Sequence, residues 1–136
     1  MITVSRLLIG TLVAGMAGTG GELLLLGHYE TPTQVAPLVL LGAGLAAVLW
    51  EMTAPRAASV IALRGVAILF LAAALVGIGL HYDGNAAFEL EMYPSTRGME
   101  LMRKTLTGAT PVLAPGSMAL LGLVALAYTY SKETRA

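Results

Sequence analysis

The sequence predicts an all-α, polytopic membrane protein with four transmembrane helices and a structured outer loop that carries a short amphipathic helix. Composition is the first observation. The 136 residues are 57% hydrophobic and only 12% charged, with a mean hydropathy of +0.78, whereas a soluble domain carries about 25% charged residues. The second is length: four apolar runs reach or approach the roughly 20 residues that a helix needs to cross a bilayer. The third is pattern. Backbone groups in lipid must be paired within the segment, so such runs are helices. No stretch alternates apolar and polar residues as a membrane barrel would require.

The first span covers residues 7–27, "LLIGTLVAGMAGTGGELLLLG". Its basic flank at Arg6 and its small residues near Ala14–Gly18 resemble a secretory leader. The leucines that resume after Glu22 continue the span, so a retained helix is expected. "ETPTQ" at Glu30–Gln34 is a short polar turn into the second span, 35–52. "TAPR" at Thr53–Arg56 turns into the third, 57–80, with Pro55 blocking helix continuation. Short turns imply antiparallel neighbours in a four-helix bundle. The fourth span, 112–130, follows "GATPVLAPGSM", where Pro111 and Pro115 punctuate the chain. That segment reads as the opening of a helix, with a re-entrant turn as the alternative.

Residues 83–111 form the outer cap, within a connection too long for a simple linker. Met99, Met102 and Leu106 recur at i, i+3 and i+7, while Arg97, Glu100, Arg103 and Lys104 fall elsewhere on the wheel. This is a short amphipathic helix, lying on the outer surface or packed on the helix ends, with Ser95 or Thr96 as its cap. All 136 residues make one membrane domain.

Lysine and arginine placement orients the chain. Arg6, Arg56, Arg64, Lys132 and Arg135 collect on one side; Arg97, Arg103 and Lys104 collect on the other. Both termini are therefore expected in the cytoplasm. Trp50, Tyr128 and Tyr130 mark that boundary, and Tyr29, Tyr82 and Tyr93 the outer one. The bilayer is the expected partner, with a second copy or another membrane protein. A net charge of zero gives no field toward nucleic acid.

The residues with chemistry are few. The absence of cysteine removes disulfides, thiolate metal sites and covalent haem attachment. The two histidines each open the same triplet, "HYE" at 28–30 and "HYD" at 81–83, and each follows an apolar run. Spans in the same direction would bring His28, Glu30, His81 and Asp83 to one face. Imidazole and carboxylate together suit a divalent transition metal. The bland alternative is that each triplet is an interface anchor where a helix leaves the membrane. A bis-histidine haem fits less well, because both histidines then sit at span ends. Glu89 and Glu91 add acids to the outer loop, on one side if that segment is extended.

Glu22 lies about 9 Å deeper than His28 on a continuous helix. An intramembrane carboxyl is costly and should face protein or a wet cavity. Thr11, Gly15, Thr19 and Glu22 form one small, polar stripe. The stripe serves a proton or cation site, or a buried acid that sets helix register. Glu51 and Arg64, on either side of a tight turn, read as a structural ion pair.

"HYDGNAAFELEMYPS", "GATPVLAPGSM" and "GELLLLGHYE" resemble a family of small, uncharacterised four-span proteins of the bacterial inner membrane. The resemblance implies a multi-pass location there and transfers no activity. The long loop and the proline-rich start of the fourth span depart from small multidrug exporters. The expected function is non-enzymatic: binding a divalent cation or organising a polar cavity at the outer face. The alternatives are an accessory or assembly subunit, and a small transporter coupled to protons through Glu22. An enzyme is the least expected class, since no activated nucleophile is visible.

Overall fold

Each helix boundary has a local cause. In the computed structural model, which describes residues 3–133, α1 spans Val4–Leu25. The Thr3 hydroxyl accepts from the Arg6 N–H at its start. At its end the Gly27 N–H donates to Leu24 O and the His28 N–H to Leu23 O. This paired closure requires a left-handed residue, and Gly27 supplies it with φ 66°. The helix therefore stops two residues before the expected span end, and His28 lies in the closing turn.

α2 spans Pro32–Thr53. Part of the "ETPTQ" turn belongs to this helix. Thr31 and Gln34 form a reciprocal capping box, with Pro32 where a missing N–H costs nothing. α3 spans Ala57–Met92, 36 residues and about 54 Å of rise. It does not end near Leu80 as expected. Residues 81–92 hold no proline and are rich in Ala, Glu, Leu and Met, so the helix continues until Pro94 restricts Tyr93. α4 spans Gly98–Leu106. Its N-cap is Arg97, not Ser95 or Thr96, and Gly98 opens it at φ 60°. α5 spans Gly116–Glu133 after a run of tight turns between Pro111 and Met118.

Among the described residues three helices, α1, α2 and α3, are long and apolar enough to cross a membrane. α5 runs beside α3 and α1 between the two ends of the molecule. Its start is held by His81 Nδ1, 2.9 Å from Pro111 O. Its far end meets the first turn of α1, where Ser5 Oγ and Ser131 Oγ are 3.1 Å apart. Arg135, which contributes to the charge bias, lies outside the described residues.

These four helices share one core. Leu12 and Met16 of α1, Leu41 and Val48 of α2, Leu63 and Phe70 of α3, and Leu121 and Ala125 of α5 are buried in it. Glycines set the closest approaches. A Cβ at Gly122 would lie 2.8 Å from Ala67 O, and one at Gly44 would lie 2.6 Å from Met16 Sδ and 2.8 Å from Phe70 Cζ. Small residues here let backbones approach, as membrane helices require when no hydrophobic force drives them together. Most large apolar side chains face outward instead, including Leu25, Ile61, Leu75 and Leu120.

Candidate functional site

The end of the molecule that carries the histidines is built on the exposed part of α3. Asn85 is only 4% exposed. Its Nδ2 donates to Thr105 O at 2.9 Å and to Thr110 O at 2.7 Å, and its Oδ1 accepts from the Thr110 N–H at 3.1 Å. One amide thereby ties the end of α4 and the following connection to α3. Gly108 permits this, because a Cβ there would lie 2.6 Å from Asn85 Cγ. One turn below, the Nδ1–H of His81 donates to Pro111 O. One turn above, Lys104 Nζ lies 3.8 Å from Glu89 Oε2 and 3.7 Å from Glu100 Oε1. The Lys104 ammonium also sits 4.2 Å from the Tyr93 ring centre. The cap is thus a docked helical hairpin.

The orientation of α4 is informative. Thr105 is buried and Leu101 and Lys104 are half-buried, whereas Met99, Met102 and Leu106 are exposed. The apolar stripe seen in the sequence points away from α3. The polar side of the helix supplies the docking contacts.

His28 and His81 meet. Their ring centres are 6.5 Å apart, in an edge-to-face approach, and both side chains are half-buried. The carboxylates do not join them. Among the described residues no group of three or more His, Asp or Glu side chains is placed to hold a metal. The expected set of His28, Glu30, His81 and Asp83 therefore does not close. The reason is the continuation of α3. Two residues along a helix turn the side chain by about 200°, so Asp83 leaves the face that carries His81 and is exposed. Glu30 is also exposed, before the α2 cap. The two triplets are unlike: the first lies in a helix-closing turn and the second inside a helix. Helical geometry also separates Glu89, half-buried toward Lys104, from the exposed Glu91.

Glu22 departs from expectation as well. It lies on the exposed side of α1, not in the interior of the single chain. The stripe predicted to bury it straddles a boundary. Gly15 faces α5, where a Cβ would lie 2.7 Å from Leu121 Cδ2, while Thr11 and Glu22 face outward. Gly10, Ala14, Ala17 and Gly18 are exposed beside them.

The opposite end holds a second polar cluster. Glu51, 2% exposed, accepts from Ser59 Oγ at 2.6 Å and Tyr128 OH at 3.2 Å, and Lys132 Nζ lies 3.0 Å from it. The expected partner, Arg64, instead donates through Nε to Thr129 Oγ1 at 3.2 Å. Its guanidinium stands 5.4 Å from the Tyr130 ring centre. Register is the reason: Ser59, in the first turn of α3, is the α3 residue level with the end of α2, and Arg64 lies more than a turn beyond. Lys132 lies past the last apolar turn of α5. Its ammonium reaches back to the Glu51 carboxylate at 3.0 Å. Tyr128 and Lys132 are one turn apart on α5, a spacing visible in the sequence but without a reason to aim at Glu51. This cluster ties α2, α3 and α5 together.

Comparison with known protein families, with curated proteins and with solved structures finds no match to this chain.

Proposed function

We propose that this chain is a non-enzymatic accessory subunit of the membrane, which joins a second copy or a larger membrane assembly through the outward side of α1. The observation that supports this is the composition of that side. Between Gly10 and Glu22 its exposed residues are Gly10, Thr11, Ala14, Ala17, Gly18 and Glu22. A surface that only meets lipid has no use for a flat stripe of small residues, whereas a second helix does. Glu22 adds to the argument. Leu25 and Leu26, 90% and 72% exposed, lie closer to the helix end. The carboxyl is thus deeper in the apolar layer than these leucines, where a partner that hydrogen-bonds it offsets the cost of lipid exposure.

In this reading α5 is a fourth crossing in a four-helix bundle. Its 18 residues rise about 27 Å, close to the roughly 30 Å apolar layer. The charge bias and the resemblance favour a bacterial inner membrane with both termini in the cytoplasm. The absence of cysteine makes the test direct. Single Gly18→Cys and Leu75→Cys variants are oxidised in native membranes. Crosslinked species of defined mass are expected for Gly18→Cys and not for Leu75→Cys. No crosslink at residue 18, together with a monodisperse monomer in mild detergent, rejects the proposal.

A further inference from the structure

We infer that His28 and His81 form a two-imidazole site for a monovalent soft cation, Cu(I). This inference does not depend on the α1 contact. Three observations carry it. The first is distance. Two imidazole nitrogens about 2.0–2.1 Å from one metal place the ring centres about 5.2 Å apart in a tetrahedral arrangement and about 6.4 Å apart in a linear one. The 6.5 Å separation lies at the linear end of that range. The rings approach edge to face, so the His28 ring must turn for both donor nitrogens to face one ion.

The second observation is the hydrogen-bond partner of His81. Pro111 O, 2.9 Å from Nδ1, is a carbonyl oxygen and only accepts. The proton therefore resides on Nδ1, and in the neutral ring Nε2 keeps its lone pair. Metal-binding histidines have this arrangement: the outer nitrogen donates to a backbone carbonyl, which fixes the ring and raises the basicity of the other nitrogen. His28 is held on a helix-closing turn by its own backbone N–H, which donates to Leu23 O at 2.8 Å.

The third is charge. Glu30 and Asp83 are turned outward, and no third acid or histidine joins the pair among the described residues. A divalent ion would retain its full double charge here, at the edge of an apolar layer, and would need two or more further ligands. Cu(I) carries half that charge and accepts two donors in a line. Imidazole suits copper, and a site without carboxylates turns away the harder divalent ions.

The test uses the full chain, purified without a polyhistidine tag and titrated anaerobically with Cu(I) against a chromophoric Cu(I) chelator. One Cu(I) per chain is expected. His28→Gln should weaken binding at least ~100-fold, since it removes one of two donors and even the loss of a partner behind a ligand costs about 10–100-fold. His28→Gln leaves the His81–Pro111 bond in place, so helicity and elution position should match the parent. His81→Gln should lose binding equally, and Asp83→Asn should retain it. X-ray absorption of the bound ion should show nitrogen neighbours and no sulfur, which separates this site from the seven methionines. Equal binding by the parent and the double variant His28→Gln/His81→Gln overturns the assignment. So does a sulfur-rich shell, or loss of binding in Asp83→Asn.

Discussion

Replacing Asn85 with alanine should release the cap from α3 without unfolding the helices beneath it. The side chain is buried and makes three hydrogen bonds to Thr105 and Thr110 main-chain atoms. Each contributes about 0.5–1.5 kcal/mol net, and a buried group left without a partner costs about 1–3 kcal/mol. Thr105 is fully buried, so its carbonyl has no ready access to water, whereas Thr110 is exposed and can rehydrate. The sum is about 3 kcal/mol, or on the order of 150-fold in the docking equilibrium. Amide hydrogen exchange in detergent or nanodiscs is the assay. Residues 98–110 should exchange on the order of 100-fold faster in Asn85→Ala, while residues 60–75 of α3 keep their protection. Unchanged exchange at 98–110 would mean that the cap is held by other contacts and that the reasoning about Asn85 is wrong. Gly108→Ala acts on the same latch from the other side, and its effect should not add to that of Asn85→Ala, because the two residues are in contact.

Other outcomes follow from the packing. Gly122→Ala should destabilise by about 1–3 kcal/mol, because its Cβ meets the Ala67 carbonyl of α3. Gly65→Ala, with open space around the new methyl, should be neutral or stabilise by up to about 1 kcal/mol, and denaturant midpoints compare the two. Glu51→Gln should cost about 2 kcal/mol, as the bond from the Lys132 ammonium loses its charged acceptor. Fluorescence of Trp50, the single tryptophan and the residue next to Glu51, reports that transition. Gly27→Ala should cost about 1–2 kcal/mol from the left-handed backbone at φ 66°, although nothing obstructs the methyl. A thermal midpoint equal to the parent would count against the closing-turn account of α1.

Residue types alone determined that this chain is helical and apolar on its outside, because bilayer length and backbone satisfaction leave few solutions. They also located the short helix of the cap and both ends of α1, α2 and α5 to within a few residues, but not the end of α3, which runs on from Leu80 to Met92. The end of α1 was legible in principle: Gly27 follows four leucines where a helix closes. The length of α3 was legible too. "AAFELEM" is helix-forming and unbroken before Pro94, but an expected loop after the apolar run obscured it. Tertiary structure decided the rest. Which partner Glu51 takes depends on the relative register of α2, α3 and α5, and no local spacing encodes that. Whether Glu22 faces inward depends on which side of α1 meets α5, and small residues permit contact on either side. The triplets at His28 and His81 look alike in sequence because identity along the chain ignores helix phase. Phase turned Asp83 away, and packing of α2 against α3, with His28 in the turn that leads into α2, brought the two imidazoles to 6.5 Å.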